Sequence, residues 1–510
     1  MKFAAAAATA VLAPLLPLNA ASASAASSNG SLTVTTLGRN GQAVSSTLSV
    51  YNTRTQAFSQ LSSGKAHSLA KGTYDVLVDI WDGADGTDTV GARVITVSGT
   101  TKATIDARQG RAVKASLSPA PGAGYQQTIS VAACATNVPY GAQATNSAGK
   151  VYVIPFANSA FELAYSSTWR NGQGAGANAF VAVGDHAKGL PSGVSASVKQ
   201  SSLATVNVSA RSGPETGDSR LELLGDTGTP CMWGVEGQNF EDTLPYSFTA
   251  HVSQGQWSVL EQAQDVLYNG YQSYLAGKTY SMTVNRAVVG PTGDLPYVWA
   301  GQHRLYLNTD EMFGDSALPY GEGFSASYKL TKGGKTLLSK TLGGLGQATL
   351  NPILTSKGWY DLTVSAKRSP NQALPSNALS TASSLSFHFY TDLTEYQQIR
   401  SYITRFSATG LSSRNQTAAG THTTVTLGLS RPTPTDDMVH QLSDSVKQVQ
   451  AWYSTDGGKT WHSVAVRHSG STWTTIITAP ASGRVSLRSE VTDSHGDTTT
   501  TTVVNAYAVG

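Results

Sequence analysis

A strand–turn–strand pattern near residue 450 most strongly restricts what this chain can fold into. In Ala451–Val466, AWYSTDGGKTWHSVAV, the segment begins with the two-residue alternation of a β-strand, which extends back to Val449. Asp456 to Gly458 then supply turn residues, and the alternation restarts at His462. Because one hairpin is not stable alone in water, the rest of the chain must provide further strands.

Short runs with the same period recur along all 510 residues. They predict an all-β protein of tandem immunoglobulin-like β-sandwich domains. The predicted units are residues 29–118 (an immunoglobulin-like or prealbumin-like sandwich), a linker at 119–124, a sandwich with a disulfide at 125–245, a β-rich domain at 246–407, and an immunoglobulin-like or fibronectin-like domain at 408–510. The cut at 245 is the softest of these boundaries.

One segment departs from this pattern. Within Val259–Leu275, five apolar or aromatic residues fall on one helical face, namely Leu260, Ala263, Leu267, Tyr271 and Tyr274. Gly270 argues against a helix because glycine has low helix propensity. The segment is nevertheless the best helix candidate in the chain.

The N-terminus has the features of a secretory signal peptide. Lys2 gives a positive start, an apolar stretch follows, and small residues near Ala23 fit a cleavage site, so residues 1–28 are excluded from the fold. No later stretch is apolar for the roughly 20 residues of a membrane helix, and the C-terminus carries no hydrophobic tail or sorting signal. We therefore expect a secreted, extracellular protein without a membrane anchor.

The charge content excludes one class of partner. Charged residues make up only 13% of the chain, and the formal net charge is +3. No run rich in lysine or arginine stands out, so nucleic-acid binding is not expected.

Cys134 and Cys231 are the only cysteines. In an exported chain such a pair predicts a disulfide. Closing a loop of this size could stabilise the fold by roughly 4–5 kcal/mol in the chain-entropy model. Two buried free thiols are the alternative.

The hairpin turn matches an Asp-box, a motif of the form S-x-D-x-G-x-T-W. Its residues are Ser454, Asp456, Gly458 and Trp461. The carboxylate can accept hydrogen bonds from turn amides, the glycine can adopt a positive φ, and the tryptophan can pack beneath the loop. Because sialidase propellers carry several such boxes and this chain shows one clear copy, we expect a structural role.

Three aspartates form the one candidate cation site. Asp82, Asp85 and Asp88 in WDGADGTD could supply oxygen ligands to Ca²⁺. Their spacing differs from that of an EF-hand loop, and a solvated hairpin tip is the simpler interpretation. No other cofactor is expected.

Aromatic residues in segments of low charge are the better functional lead. They are Trp169, Trp257, Trp299, Tyr271, Tyr274 and Tyr320. Flat aromatic side chains on a β-sheet face can bind sugar rings or protein surfaces. The alternative is that these side chains pack in the cores.

Hydrolase signals are weak. Gly-Asp-Ser occurs at 217–219 and 314–316, and Asp493 and His495 form a nominal acid–histidine pair. Serine hydrolases need such groups placed on a suitable scaffold, and the βαβ pattern of an α/β-hydrolase is absent here. We expect no catalytic residue, although a site assembled from distant strands of the middle region stays open.

Several segments together resemble a known family, the non-catalytic C-terminal region of large secreted subtilisin-like serine peptidases of actinomycetes. They are LAKGTYDVLVDIWD with TIDARQGRAV, GLPSGVSASVKQSSLATVNV, YLAGKTYSMTVNRAVVGP, and VQAWYSTDGGKTWHSVAV with GRVSLRSEVTDSHGDTTTTTVVNAYAV. No stretch resembles the Asp/His/Ser peptidase domain of that family. The resemblance therefore implies an accessory architecture and carries no catalytic residue over.

These observations favour a secreted, non-catalytic accessory or binding protein whose partner is an extracellular protein or polysaccharide. Two alternatives remain open, a secreted hydrolase with a cryptic site in the middle region and a regulator of a secreted serine peptidase.

Overall fold

A computed structural model describes residues 29–510 except for short internal segments. The segments outside the description are 137, 139–140, 214–216, 236, 264–265, 293–297, 302, 309–311, 315–317, 319, 322–323, 343–346, 350–352, 369–376, 394–396 and 432–444. The predicted signal peptide, residues 1–28, also lies outside the described residues.

The described residues form β-strands and three short 3₁₀ turns, at Ala107–Gln109, Gln200–Ser202 and Pro230–Gly234. The strands of the N-terminal half are β1 Asn29–Leu37, β2 Thr47–Asn52, β3 Phe58–Ser62, β4 Ala66–Ala70, β5 Gly72–Asp82, β6 Thr87–Val97, β7 Thr100–Asp106, β8 Arg111–Ala112, β9 Lys114–Ser118, β10 Gln126–Ala135, β11 Ala142–Ser147, β12 Val151–Val153, β13 Phe161–Arg170, β14 Asn178–His186, β15 Ser195–Lys199, β16 Ala204–Ala210, β17 Asp218–Gly225, β18 Gln238–Thr243 and β19 Tyr246–Val252.

The remaining strands are β20 Gly255–Ala263, β21 Val266–Tyr274, β22 Thr279–Val284, β23 Val298–Gly301, β24 Arg304–Asn308, β25 Tyr320–Gly321, β26 Phe324–Lys332, β27 Lys335–Leu342, β28 Gln347–Thr349, β29 Gly358–Arg368, β30 Ala382–Thr391, β31 Gln397–Gln398, β32 Ile403–Ala408, β33 Gln416–Thr417, β34 His422–Ser430, β35 Val446–Ser454, β36 His462–Val464, β37 Val466–Ser469, β38 Thr472–Thr478, β39 Gly483–Asp493 and β40 Thr498–Val509. The all-β fold class is confirmed. Among the described residues, no helix is long and apolar enough to cross a membrane.

The first sandwich packs two sheets face to face. A three-stranded sheet, ordered β4-β1-β7, lies against a six-stranded sheet, ordered β3-β2-β5-β6-β12-β8. Alternate residues of the strands fill the layer between them, such as Leu32, Val76, Val78 and Ile80, each at most 1% exposed. This is the two-residue period expected of strands with one face in a core.

The six-stranded sheet has a second buried face. Leu77 and Val90 on that face belong to the same cluster as Val131 and Ala133 of β10. Strand β10 lies in a seven-stranded sheet ordered β11-β10-β13-β14-β19-β16-β22. The first sandwich is therefore fixed against the next sheet by a continuous apolar layer rather than joined only by a linker.

Val259–Leu275 forms no helix, and the helix prediction is wrong. Gly255–Ala263 and Val266–Tyr274 form an antiparallel pair within a sheet ordered β18-β17-β20-β21-β25. Trp257, Val259, Glu261 and Ala263 are all buried, which is the two-residue period of a strand. The helical spacing of the apolar residues was coincidental, because burial of the strand face determined the structure.

Hydrogen-bonded sheets continue across the predicted domain boundaries. Strand β17 pairs with β20 across residue 245, and β30 pairs with β40 across residue 407. The latter pair joins β26 and β29 to β35 and β39 in one long sheet, ordered β27-β26-β29-β30-β40-β39-β35-β36. The domain boundaries themselves stay a prediction, but the predicted units share hydrogen-bonded sheets.

Asn415 links three distant segments. Its side-chain Nδ2 donates to the carbonyl oxygens of Ser212 and Asn285, at 2.9 and 2.8 Å, and its Oδ1 accepts from the amide of Ala287 at 3.0 Å. The side chain is 2% exposed, and its backbone φ of 53° is one that asparagine tolerates better than most residues. One buried carboxamide thus ties the last sandwich to the middle of the chain.

Replacing Asn415 with alanine should lower the free energy of unfolding by about 2–4 kcal/mol, because it leaves buried backbone groups without partners. Chemical denaturation followed by fluorescence measures this change. Arg414→Ala, on the exposed neighbouring residue, is the matched control and should change little. Equal stability of the two variants would contradict a linking role for Asn415.

Candidate ligand-binding cleft

An open cleft of about 250 Å³ lies where the first sandwich meets the next sheet. Strands β2 and β3 form one wall, and β10, the start of β11 and the 3₁₀ turn Pro230–Gly234 form the rest. The cleft therefore combines elements from the first and second predicted units.

Two aromatic side chains in the cleft are unusually accessible. Phe58 is 49% exposed and Trp233 is 52% exposed. Tyr51 packs against Phe58 with ring centroids 4.9 Å apart, which gives the Phe58 ring a fixed support. Aromatic rings held this way offer apolar surface to a ligand at a low cost in side-chain entropy.

Local sequence explains the position of Phe58. The side-chain oxygen of Asn52 accepts hydrogen bonds from the amides of Arg54 and Thr55, both at 3.0 Å. This is an Asx-type turn, which reverses the chain after β2. The reversal starts β3 at Phe58, on the edge of the six-stranded sheet.

The disulfide fixes the position of Trp233. Cys134 and Cys231 are bonded, as the sequence predicted, with their Cα atoms 5.4 Å apart and both side chains buried. Pro230 starts the short turn, and its constrained φ suits that position. Because Cys231 is bonded to β10, the turn directs Trp233 outward beside the cleft.

A second contact joins the two walls. The Ser49 hydroxyl on β2 donates to the carbonyl oxygen of Gly141, immediately before β11, at 3.0 Å. A Cβ atom at position 141 would collide with the backbone carbonyl of Ala133, so the close approach of Gly141 to β10 requires glycine. The hydrogen bond from Ser49 thus joins β2 to a backbone segment that is itself packed tightly on β10.

The cleft is polar without being charged. Gln60 and Gln143 present exposed carboxamides, which can both donate and accept hydrogen bonds. Among the described residues that line it, none has an acidic, basic or histidine side chain. Chemically, the arrangement can stack on apolar faces and bind hydroxyl or amide groups.

A half-buried carboxyl group, that of Glu162, lies behind the disulfide. Burial raises the pKa of Glu162, and the charge of Asp185 raises it further. Glu162, Cys134 and Cys231 are the one trio of candidate metal ligands within 4.8 Å of each other in the described part of the chain. With both sulfurs in a disulfide, they are not available as thiolate ligands.

The structure does not gather Asp82, Asp85 and Asp88 into such a trio. Asp82 is buried and accepts from the amide of Ala84, whereas Asp85 is exposed and accepts from the amide of Thr87. Asp88 is buried at the contact with β11. Calcium binding stays a prediction without a convergent set of ligands.

The β5–β6 hairpin, which carries these aspartates, instead contacts the second predicted unit. An Asp88 carboxylate oxygen accepts from the amide of Thr145 at 3.3 Å, and Asn146 Nδ2 donates to the carbonyl of Gly86 at 2.9 Å. Lys150 Nζ donates to the carbonyl of Asp85 at 2.6 Å. The acidic segment therefore serves an internal contact between sheets.

Asp79 and Asp88 form an acidic pair at that contact. Burial raises the pKa of Asp79 well above its usual range, and a hydrogen bond to Asp88 and the charge of Asp88 raise it further. Asp79 lies opposite Val90 on the paired strand β6, near Asp88. Its protonated form is therefore the one compatible with the packed sheets.

The Asp-box forms a compact hairpin loop. Asp456 accepts from the amides of Lys459 and Thr460, both at 2.9 Å, and from the Thr460 hydroxyl at 2.6 Å. Hydrogen bonds from Thr460 and then Ser454 hold the pKa of the Asp456 carboxyl below its usual range. Gly458 has a φ of 86°.

Trp461 closes the loop. Its Nε1 donates to the carbonyl of Gly458 at 2.9 Å, and the Arg488 guanidinium lies 4.0 Å from its ring centroid. Every contact of Asp456 and Trp461 described here is internal to the last sandwich. The geometry is that of a loop-stabilising motif.

The aromatic residues selected from the sequence do not mark a surface as a group. Trp169, Trp257 and Tyr274 are buried, at 5%, 1% and 5% exposure, whereas Tyr271 is 56% exposed. The side chains of Trp299 and Tyr320 lie outside the described residues. Low local charge did not separate core aromatics from exposed ones, because both occur in segments of this kind.

The exposed aromatics that sequence reasoning missed include Phe58, Trp81, Trp233, Trp359 and Tyr390. For Trp233, a usable signal was present, since a bulky side chain two residues from a disulfide cysteine in a short turn has little room to turn inward. Phe58 gave no such signal, because its exposure follows from its place on an edge strand.

Trp359 and Tyr390 form a second, smaller aromatic surface. The Trp359 ring stacks on His388 at a centroid distance of 4.7 Å and contacts Tyr390 edge-on. His388 Nδ1 lies 2.7 Å from an Asp361 carboxylate oxygen. These side chains contact one another across the paired strands β29 and β30, whereas the Phe58 and Trp233 rings line a cleft.

The Gly-Asp-Ser and Asp/His signals do not form a hydrolytic site among the described residues. Ser219 is buried and donates to Glu261, and Asp493 is buried and accepts from the amides of His495 and Asp497. Ser316 lies outside the described residues. The two described groups thus have structural hydrogen-bonding roles.

The described residues define a class, an all-β protein of packed sheets with an uncharged, aromatic cleft between its first two sheet systems. The sequence matches no protein-family model and no curated protein.

Weak structural likenesses are found among solved proteins. The FN1–FN3 domains of chicken CNTN1 are 10% identical, with a TM-score of 0.14, covering 67% of this chain and 94% of that one. A mutant Salmonella alpha-2-macroglobulin is 8% identical, with a TM-score of 0.18, over 94% of this chain and 39% of that one. Immunoglobulin domains 1–5 of Sidekick-1 are 9% identical, with a TM-score of 0.12, over 94% and 95%. These scores carry no argument about function.

Replacing Asp79 with asparagine should change how stability depends on pH. Because the pKa of Asp79 is raised in the folded state, its stabilising contribution is present below about pH 4, the usual aspartate range, and is lost as pH rises towards the raised value. The stability of Asp79→Asn relative to that of the parent protein should therefore increase from acidic to alkaline pH. Thermal midpoints measured across that range, with the exposed Asp226→Asn as control, test this. Parallel pH profiles would contradict it.

Replacing Ser454 with alanine should destabilise the last sandwich. The buried Ser454 hydroxyl donates to Asp456 at 2.7 Å and accepts from the amide of Gly458 at 2.9 Å. We expect a loss of about 1–3 kcal/mol in the free energy of unfolding, measured by chemical denaturation. Ser463→Ala, on the exposed neighbouring strand, should have little effect, and a similar loss in both variants would argue against the loop contacts as the cause.

Proposed function

We propose that this protein is a secreted, non-catalytic binding protein that presents its β-sheet surfaces to an extracellular protein or polysaccharide. The observation that carries the proposal is the cleft between β3 and the turn Pro230–Gly234, where Phe58 and Trp233 are both about half exposed. Exposed aromatic side chains grouped in a concave site are characteristic of ligand recognition.

The composition of the cleft supports binding over bond cleavage. Hydrolysis of glycosides commonly needs two carboxyl groups flanking the scissile bond. The part of the lining that the structure describes contains none, and its polar groups are carboxamides, a hydroxyl and backbone atoms. Such groups orient a ligand through hydrogen bonds without supplying an acid, a base or a charged nucleophile.

Secretion is supported by the sequence of residues 1–28 and by the buried disulfide. The segment has a positive start, an apolar stretch and small residues at its end. The Cys134–Cys231 bond is of the kind that persists in oxidising, extracellular surroundings. The structure of the cleft depends on this bond, so the proposed location and the proposed site agree.

The resemblance to accessory regions of secreted subtilisin-like peptidases fits the same proposal. Residues of this architecture would act in an accessory role. Their contribution would be to hold an extracellular polymer or protein.

Replacing both Phe58 and Trp233 with alanine should weaken this binding. Each ring should contribute roughly 1 kcal/mol through stacking beyond the apolar area it covers, so the double variant should bind at least about tenfold more weakly. A glycan array and a pull-down from culture fluid, both with the full-length protein, provide the ligands. Trp81→Ala, an exposed tryptophan outside the cleft lining, is the matched control.

The variants must first show unchanged thermal midpoints, because the cleft lies at a contact between sheets. Absence of any ligand for the parent protein, or equal binding by the double variant, would refute the proposed role of the cleft.

A further inference from the structure

A second concavity lies next to the cleft. It encloses about 120 Å³ and is lined on one side by Thr128, Ser130 and Thr145 of β10 and β11. Its other side includes Arg170, Gln173 and Glu241, together with backbone and side chains near the start of β18. Unlike the aromatic cleft, it is strongly polar.

Strand register places the two concavities in line. On one face of the β10–β11 pair, Ala132 lies opposite Gln143 and both line the cleft. Two residues along, Ser130 lies opposite Thr145 and both line the polar pocket. Because side chains two residues apart point to the same face of a sheet, the cleft and the pocket are consecutive sections of one groove.

Two stretches that are near each other in sequence border the two sections. Cys231, Trp233 and Gly234 line the cleft, and Gly237 to Asn239 line the pocket. Within the polar pocket, the Thr145 hydroxyl donates to the Ser130 hydroxyl at 2.8 Å. From Cys134 to Thr128 the groove is about 20 Å long at the usual rise of a strand, enough for about four sugar rings in an extended chain.

The polar section fits hydroxyl groups better than a charged ligand. Arg170 and Glu241 bring one positive and one negative charge, and Gln173 adds an exposed carboxamide. Arg220 Nε lies 3.7 Å from a Glu241 carboxylate oxygen, which further balances that acid. Donors and acceptors thus occur together with no dominant charge, as recognition of a neutral polyol requires.

A peptide fits this groove less well. Extended peptides bind most readily by adding a strand to an exposed sheet edge. Strand β11 is such an edge, but the Thr145 amide donates to Asp88 and the Asn146 side chain is bonded to Gly86. The hairpin of the first sandwich covers this edge, so recognition in the groove must rest on side chains and ring stacking.

We infer that the groove binds a linear, neutral oligosaccharide, with sugar faces stacked on Phe58 and Trp233 and hydroxyl groups bound by Arg170, Gln173 and Glu241. The inference rests on the proposed binding function and goes further by naming the ligand class and the number of rings. The ligand lies along β10 with the aromatic section at one end and the polar section at the other.

A length series tests the inference. Cello-, xylo-, manno- and chitooligosaccharides of two to six units are titrated into the full-length protein by calorimetry, with oligogalacturonides as the acidic comparison. At least one neutral series should bind, and its affinity should rise by at least tenfold from the disaccharide to about the tetrasaccharide, the groove length set by strand geometry, and then level off.

Two variants separate the sections of the groove. Phe58→Ala/Trp233→Ala should lose affinity for every length. Gln173→Ala/Glu241→Gln, on the polar section, should lose the gain in affinity with length, so that its loss relative to the parent is larger for the tetrasaccharide than for the disaccharide. A folded state unchanged by circular dichroism and thermal midpoint is required of both.

The outcomes are distinguishable. No binding in any neutral series, tighter binding of the acidic oligomers, or an unchanged length gain in the polar-section variant overturns the inference. If the cleft variant loses a protein ligand from culture fluid while no oligosaccharide binds, the inference falls and the proposed binding function stands. If neither kind of ligand binds the parent protein, both fall.

Discussion

The structure depends on main-chain hydrogen bonding that passes from one sandwich to the next. Strand β12 joins the first six-stranded sheet, β20 pairs with β17, and β40 pairs with β30. Backbone pairing fixes distance, direction and register at once. Neighbouring sandwiches are therefore held in fixed orientations. Side chains far apart in sequence can then form one rigid surface.

The aromatic cleft is a product of that constraint. Phe58 comes from an edge strand of the first sandwich, whereas Trp233 comes from a turn bonded through Cys231 to β10. Neither element alone is concave. The two sheets pack against each other beside the cleft through an apolar layer that includes Leu77, Val90 and Val131. The shape of the cleft therefore depends on packing between the sandwiches as well as on the residues that line it.

Sequence reasoning recovered what depends on local period and on residue chemistry. The alternation around Ala451 gave the fold class, and the two cysteines gave the disulfide. The helix at Val259–Leu275 was wrong because strand pairing with β17 overrode a helical spacing. The cleft could not be derived, since the exposure of Phe58 is decided by sheet order and by an inter-sheet contact that no local pattern encodes.

The position of β40 has a consequence for how this molecule is made. Thr498–Val509 lies between β30 and β39, in the interior of the longest sheet rather than at its edge. Until those residues leave the ribosome, β30 and β39 each have an unpaired edge, which is a hazard for self-association. Long-range pairing of this kind also slows folding. The longest sheet of this chain can therefore close only after Thr498–Val509 has been made.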